Sequence, residues 1–563
     1  MINTSEILKT SIARCRDCYR CVRACPVNAI GVKGNQAYID PDRCILCGTC
    51  VRECPQKAKI YRDDIQAVKA LLKQGKVIAS IAPSFAGVYG INKSTRLPAA
   101  LRKLGFYKVE ETSIGADAVA KASAEKIDAG KCGGVCSACP AVVSYIEKYM
   151  SDHTNILTTI TSPMIAHGSI IKHRYADAKV VFIGPCIAKK GEASQEKYHG
   201  IVDAVLTFDE LNRWLESEDI DLSILPESTF DGVGITRAAK LFALPGGMLE
   251  TAGYDAQITN AAYVHTSGSE NVKMILHAAI NSDDMEVLEP LFCNGGCIGG
   301  PGISSELNIF QRKAAIMKYA DKSNMYPKVV KDEFGVKLDT QFAPYKIKDT
   351  EITEQQILDV YEATGKMNSA LRLDCGACGY ANCKENAIAM IKGMAEAEMC
   401  LPYMRRLAEK RTDKILESSP NGIVILDENM AILSMNTSFK NFFSCTNSIV
   451  GRQISYLCDD RDYASISKGE SLTKESIIKC YGKEFHQLSY YLPEEKQFVG
   501  IYVDISAVRS NEAKLQAMRT KTLEQVQKLL NHQVEMAQEM TKFLGESTAK
   551  SEALMEGLLD DES

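Results

Sequence analysis

The chain has no apolar run approaching the ~18 residues that suggest a membrane-spanning helix, so no span is expected. Its first residues, MINTSEILKTSIARCRDC, have neither a long apolar core nor a small-residue cleavage site. That argues against a secretory leader and for a cytoplasmic protein. Positive charge is not in excess: 66 Lys and Arg stand against 71 Asp and Glu, a net −5, which gives no electrostatic case for a nucleic-acid partner. Nor is the chain small. With 563 residues, 45% of them hydrophobic, it can bury several separate cores. Its 21 cysteines therefore do not fit the small, secreted, disulfide-stapled class. Clustered cysteines in a large chain without a leader point to metal.

Two clusters fall within residues 1–60. The first reads C-RD-C-YR-C-VRA-C-P, with Cys15, Cys18, Cys21 and Cys25; the second reads C-IL-C-GT-C-VRE-C-P, with Cys44, Cys47, Cys50 and Cys54. Both resemble the bacterial ferredoxin run, in which three closely spaced thiolates take one 4Fe–4S cube and the fourth ligates the other cube. The resemblance implies Cys15, Cys18, Cys21 and Cys54 on one cube, and Cys44, Cys47, Cys50 and Cys25 on the second. Pro26 and Pro55 turn the chain after each fourth ligand. This segment resembles an eight-iron ferredoxin, a carrier of electrons.

Residues 76–345 alternate β-rich and helix-like runs, as an α/β fold does. KVIASIAPS starts as a buried strand and stops at Pro83, and KVVFIGPC is a strand ending at Cys186. DAVLTFDELNRWLE reads as strand then helix, and MEVLEPLFCNGGC leaves a strand for a glycine turn. Cys186 and Cys293 thus fall just past strand C-termini, where α/β sheets place their sites. Four cysteines stand out: Cys139 in SACP, Cys186 in GPCIAKKGE, and Cys293 with Cys297 in CNGGCIGG. Together these stretches resemble three signatures of the FeFe-hydrogenase active-site domain, roughly T-S-C-C-P, P-C-x-x-K-x-x-E and A-C-x-x-G-C-x-x-G-G.

The resemblance implies that Cys139, Cys186, Cys293 and Cys297 hold a cube and that Cys297 also bridges to a diiron subsite carrying CO and CN ligands. Lys189 matches the lysine that hydrogen-bonds a cyanide there, and Glu192 a glutamate on the family's proton route. In that family the cysteine directly before the first ligand passes protons to the diiron subsite. Here the stretch is Cys136-Ser137-Ala138-Cys139-Pro140, so the proton carrier is replaced by Ala138. Cys136 sits at the threonine position, and Cys132 and Cys136 read as packing thiols. The helix-like run from Ala118 to Lys126 is also poor in acids. Loss of a positioned proton-transfer group costs on the order of 10²–10⁴ in rate. A protein slowed that far suits detection better than bulk turnover.

Residues 346–405 contain Cys375, Cys378, Cys383 and Cys400 in the pattern C-x2-C-x4-C-x16-C. The spacing resembles the four-cysteine iron–sulfur domain of corrinoid proteins, with tetrahedral zinc as the competing reading. Composition changes after Cys400. GIVILDENMAILSMN reads as a hairpin around Glu428–Asn429, TSFKNFF as a helix, and KEFHQLSYYLPEEKQFVGIYVDIS as two strands around Pro493–Glu495. That order resembles a PAS domain over residues 411–505. Cys445, Cys458, Cys480 and His486 lack ligand spacing and read as core or surface residues. Residues 506–563 lack glycine until Gly545 and should be helical, with Leu523, Val526, Leu530, Ala537, Met540 and Leu544 near heptad spacing, broken before Met518 and diluted by Gln533. His532 has no nucleotide-binding domain after it, so a histidine-kinase reading is set aside.

The expected fold class is multidomain α/β and α+β: ferredoxin, hydrogenase, four-cysteine, PAS and helical segments in turn. This order resembles the sensory, PAS-containing FeFe-hydrogenases. The first expectation is a slow sensor of H2 or redox state with four 4Fe–4S cubes and a diiron subsite. It would exchange electrons with ferredoxin or another redox partner and signal through the PAS domain and helix to a downstream protein, as a possible homodimer. A metabolic, ferredoxin-linked hydrogenase is the second reading. An iron–sulfur scaffold without a diiron site is the third.

Overall fold

The computed structural model describes residues 4–232, 236–255, 260–281, 285–324, 335–348, 351–467, 472–506 and 512–559. They fall into two compact units, Met1–Met404 and Arg405–Ser563.

The first unit is built on a four-stranded parallel sheet in the order Lys108–Glu111, Val77–Ile81, Lys179–Gly184, Ala204–Thr207. Val77–Ile81 is buried along its whole length, as a central parallel strand covered on both faces should be. From this strand the chain goes first to one neighbour, Lys108–Glu111, and later to the other, Lys179–Gly184. The reversal opens a crevice at the strand C-termini, the usual place for a ligand in such sheets. A second parallel pair, Tyr263–Ser267 with Val287–Leu291, flanks it. The strand-then-helix reading of DAVLTFDELNRWLE appears as Ala204–Thr207 followed by Phe208–Ser217, whose start is fixed by a Thr207/Glu210 capping box.

The ferredoxin-like segment repeats one device twice. In each run a residue with left-handed backbone, Tyr19 or Gly48, precedes a short helix, Arg20–Ala24 or Thr49–Glu53. Two antiparallel pairs, Leu8–Thr10 with Lys59–Tyr61 and Ile30–Lys33 with Gln36–Ile39, flank the runs. This segment shares one apolar core with the hydrogenase-like and four-cysteine segments: Val22, Ile30 and Ile45 pack in the same cluster as Val142, Ile146, Leu288, Tyr380 and Met399.

The second unit contains a five-stranded antiparallel sheet ordered Ile432–Met435, Gly422–Leu426, Gln497–Asp504, Lys483–Leu492, Thr473–Cys480. Asp427 builds the hairpin turn by accepting from the backbone N–H of Asn429 and Ala431, both at 2.8 Å. Asn436 caps the Thr437–Phe442 helix. The sequence pattern predicts two strands after the short helices, and the structure has three. Thr473–Cys480 escaped it because this strand alternates between exposed and half-buried positions and carries no buried apolar face. The helix expected beyond Ser506 runs Glu512–Leu559, through Gly545. Along it Val526, Leu530 and Met540 are half-buried, whereas Leu523, Ala537 and Leu544 are exposed; the side chain of Met518 lies outside the described residues.

Candidate functional site

The crevice at the sheet's C-terminal edge holds a cavity of about 90 Å³. Its walls include Ala82, Pro83 and Ser84 after one strand, Thr112 after the next, and Pro185 and Cys186 after the third. Cys139, Cys186, Cys293 and Cys297 all line it. Each is placed by its local structure. Cys139 is extended and precedes the Pro140–Tyr149 helix, whose first position is proline. Cys186 leaves its strand through Pro185, and Cys297 sits in the short turn Gly296–Gly299. The turn can approach the Pro185–Cys186 step because residue 300 is glycine: a Cβ there would stand 2.5 Å from the Pro185 carbonyl oxygen.

The four sulfurs lie within electrostatic reach of one another. Burial pushes the Cys186 thiol up to about 12 and raises Cys293 and Cys297 as well. Buried sulfurs of this kind become thiolates when a cationic metal group compensates their charge.

Away from the sulfurs the wall is formed by Ala82, Pro83, Ala116, Ala138, Pro163 and Met164, with Ser84, Thr112 and Lys189 as its polar members. Lys189 is buried and not part of a solvated turn. Its Nζ donates to Glu192 Oε2 at 2.7 Å and to the Ala138 carbonyl at 3.3 Å. Ser84 Oγ is buried with no hydrogen-bond partner among the described residues. Cys136 does not line the cavity; it packs among Ala116, Ala120, Phe242, Met248, Leu249 and Val287, and burial pushes its thiol up to about 12.

Sequence reasoning missed Ser84, Thr112 and Glu289. Thr112 directly follows one strand and Ser84 lies three residues beyond the end of another, which becomes visible only when those strands are neighbours. Glu289 did carry a signal, a carboxylate within the buried strand Val287–Leu291. Its Oε2 accepts from the backbone N–H of Met248 and Leu249, and its Oε1 is buried with no hydrogen-bond partner among the described residues. Burial pushes this carboxyl up to about 8 against those backbone donors, and its charge is felt at Cys136 and Cys297. It is an acid of near-neutral strength beside the sulfurs.

The other cysteines gather as three further sets. Cys15, Cys18, Cys21 and Cys54 line one small cavity. Cys25 and Cys44, Cys47 and Cys50 lie within electrostatic reach of one another, so the fourth cysteine of each run crosses to the other run's sulfurs. Backbone N–H groups of Ala29 and Ala58 donate to the sulfurs of Cys25 and Cys54, each at 3.2 Å. Cys375, Cys378, Cys383 and Cys400 line another small cavity.

The sets are neighbours. Cys47 lies within electrostatic reach of Cys139 and Cys293, an approach made possible by Gly48, where a Cβ would stand 2.4 Å from Pro301. On the other side, Tyr380 feels both Cys378 and Cys25, and Arg23 donates to the carbonyls of Ala377 and Cys18.

Residues 75–301, which hold all four cavity cysteines, match the family described as iron only hydrogenase large subunit, C-terminal domain. Residues 75–301 of the chain are thus similar to the FeFe-hydrogenase large subunit. Residues 14–58 match a 4Fe-4S dicluster domain, 372–402 an Fe-S cluster family and 410–476 a PAS domain. An NADP-reducing hydrogenase subunit of Solidesulfovibrio fructosivorans is 27% identical over 350 residues, 51% of this chain and 55% of that one. Iron hydrogenase 1 of Clostridium pasteurianum is 27% identical over 276 residues, 40% and 48% of the two chains. The chain thus spans about half the length of these curated relatives. Cytosolic iron-sulfur assembly component 3 of Rattus norvegicus is 36% identical over 115 residues, 17% of this chain and 24% of that protein. A solved [FeFe]-hydrogenase from Chlamydomonas reinhardtii is 18% identical, with TM-score 0.38, covering 51% of this chain and all of the other. Among the described residues, no helix is long and apolar enough to cross a membrane.

Proposed function

We propose that the protein interconverts H2 with two protons and two electrons at low turnover and reports hydrogen or redox state through its PAS unit. The observation that carries the reading is the cavity itself. Four cysteines line it, and its wall also presents Lys189 and the unpartnered Ser84 hydroxyl. That donor set fits a 4Fe–4S cube, which Cys139, Cys186, Cys293 and Cys297 would hold, and Cys297 would also be the link to a diiron group. Lys189 and Ser84 fit as hydrogen-bond donors to its CN ligands, and the apolar wall as an exclusion of water. The bound group supplies the reversible splitting of H2.

The remaining steps belong to the chain. Glu192 orients Lys189 by accepting from its Nζ. Ala138 offers a methyl group where a proton carrier would stand, which keeps turnover low. The neighbouring cysteine sets around Cys47 and Cys25 and around Cys378 form a continuous course for electrons. It would lead to the four-cysteine segment and to a ferredoxin or other redox partner.

A second reading, an iron–sulfur scaffold without the diiron group, is favoured by the similarity to the cytosolic assembly component. Infrared spectroscopy of the matured protein separates the two. CO and CN stretching bands that shift under H2 are expected; a fully cube-loaded protein without those bands would leave the scaffold reading standing.

A further inference from the structure

One wall of the cavity is connected to the interior by a row of buried hydroxyl, imidazole and carboxylate groups. Apart from Ser84, Thr112 is the cavity's one hydroxyl-bearing lining residue among the described residues. Its Oγ1 is 2.7 Å from Ser80 Oγ, which is 2.7 Å from His167 Nδ1. The opposite ring nitrogen, Nε2, is 3.3 Å from Glu110 Oε2. All four residues are 2% exposed or less.

Beyond Glu110 the row approaches the surface. Arg174, a quarter exposed, reaches Glu110 Oε2 at 3.6 Å. The exposed Gly232 lies over the same oxygen, with its ideal Cβ position 3.1 Å away. The second carboxylate oxygen, Oε1, is buried without a hydrogen-bond partner among the described residues. The helix Pro163–Arg174 spans the same interval: Pro163 and Met164 line the cavity, His167 follows one turn later, and Arg174 two turns beyond that.

We infer that Glu110, His167, Ser80 and Thr112 form a proton relay between the surface near Gly232 and the cavity, serving the protein in place of the thiol missing at position 138. The inference rests on the hydrogenase reading of the cavity. Every member of the row can both give and take a proton, the property a relay requires. A proton held by Glu110 passes to His167 Nε2 as the Nδ1 proton moves to Ser80 Oγ. The Ser80 proton moves to Thr112 Oγ1, and the Thr112 proton leaves into the cavity. One proton enters, one leaves, and no electrons move. The same row turned around, with Thr112 donating to Ser80, Ser80 to Nδ1 and Nε2–H to Glu110, carries protons outward.

The test uses the full chain loaded with its cubes and diiron group. Ser80→Ala and Thr112→Val should each lower H2–proton turnover at least about tenfold, the lower part of the range for a lost proton-transfer group. Iron content and the CO and CN bands should be unchanged, and Thr112→Ser, which keeps the hydroxyl, should stay within about twofold of the parent. A second readout is independent of rate. In infrared difference spectra the carboxyl band of Glu110, identified by its loss in Glu110→Gln, should respond to H2 in the parent and cease to respond in Ser80→Ala.

Parent-like rates and a responding Glu110 band in the variants would overturn the relay and leave the row a structural staple. Absent CO and CN bands in the parent would overturn the hydrogenase reading, and the relay with it. If Ser80→Ala does not fold, Thr112→Val, isosteric and at the cavity wall, decides by the same two measurements.

Discussion

At position 138 the methyl group lines the cavity, and the residue's carbonyl accepts from Lys189 Nζ. A thiol in its place would enter the cavity from a backbone already fixed by Cys139 and Pro140. Ala138→Cys should therefore raise H2–proton turnover at least tenfold, with unchanged iron content, since a positioned proton carrier contributes about 10²–10⁴ in rate. Hydrogen oxidation and evolution assays on matched, fully loaded samples measure it. No rise would mean that electron delivery, or the supply of protons to the cavity wall, limits the rate. Cys136, the nearest thiol in sequence, cannot substitute from its place in the core around Phe242 and Met248.

Among the elements, the short helix Ala188–Ala193 does two jobs with adjacent lysines. Lys189 faces the cavity. Lys190 is fully buried and donates to Asp64 Oδ2 at 2.8 Å, to Glu210 Oε1 at 3.0 Å and to the Val205 carbonyl at 2.6 Å. It thereby ties the turn after the ferredoxin-like segment to the sheet's edge and to the Phe208–Ser217 helix. Removing one member of a buried ionic set leaves the others uncompensated, at a cost of about 3–5 kcal/mol. Lys190→Met should lower the first thermal unfolding transition of the loaded chain. A transition unmoved by Lys190→Met would mean that water enters and solvates the two carboxylates.

For the whole molecule the four cysteine sets make a quantitative expectation. Four cubes and a diiron group amount to about eighteen irons per chain at four thiolates per cube. Metal analysis finding about four fewer, with one zinc, would place zinc at residues 375–400. The output is proposed to run through residues 506–563. Deleting them should leave the CO and CN bands and hydrogen chemistry intact while abolishing dimerisation or binding of a downstream protein. A truncated chain that sediments and binds as the full one does would remove the helix from that role.

Cysteine spacing by itself marked the iron–sulfur segments at residues 14–58 and 372–402, because a ligand run of the form C-x2-C-x2-C-x3-C-P sets its local turns wherever it is placed. The SACP, GPCIAKKGE and CNGGCIGG stretches were likewise legible as a set, as were the PAS hairpin and the long helix, whose patterns are local. Tertiary structure decided what depends on which strands are neighbours. It buried Lys189 against Glu192, turned Cys136 away from the cavity and brought Cys47 to Cys139. It also aligned Ser80, Thr112, Glu110 and His167, which come from two adjacent strand ends and a helix more than fifty residues later. No periodicity in the sequence marks such a row, because hydrogen bonding between side chains depends on distance in space and not along the chain.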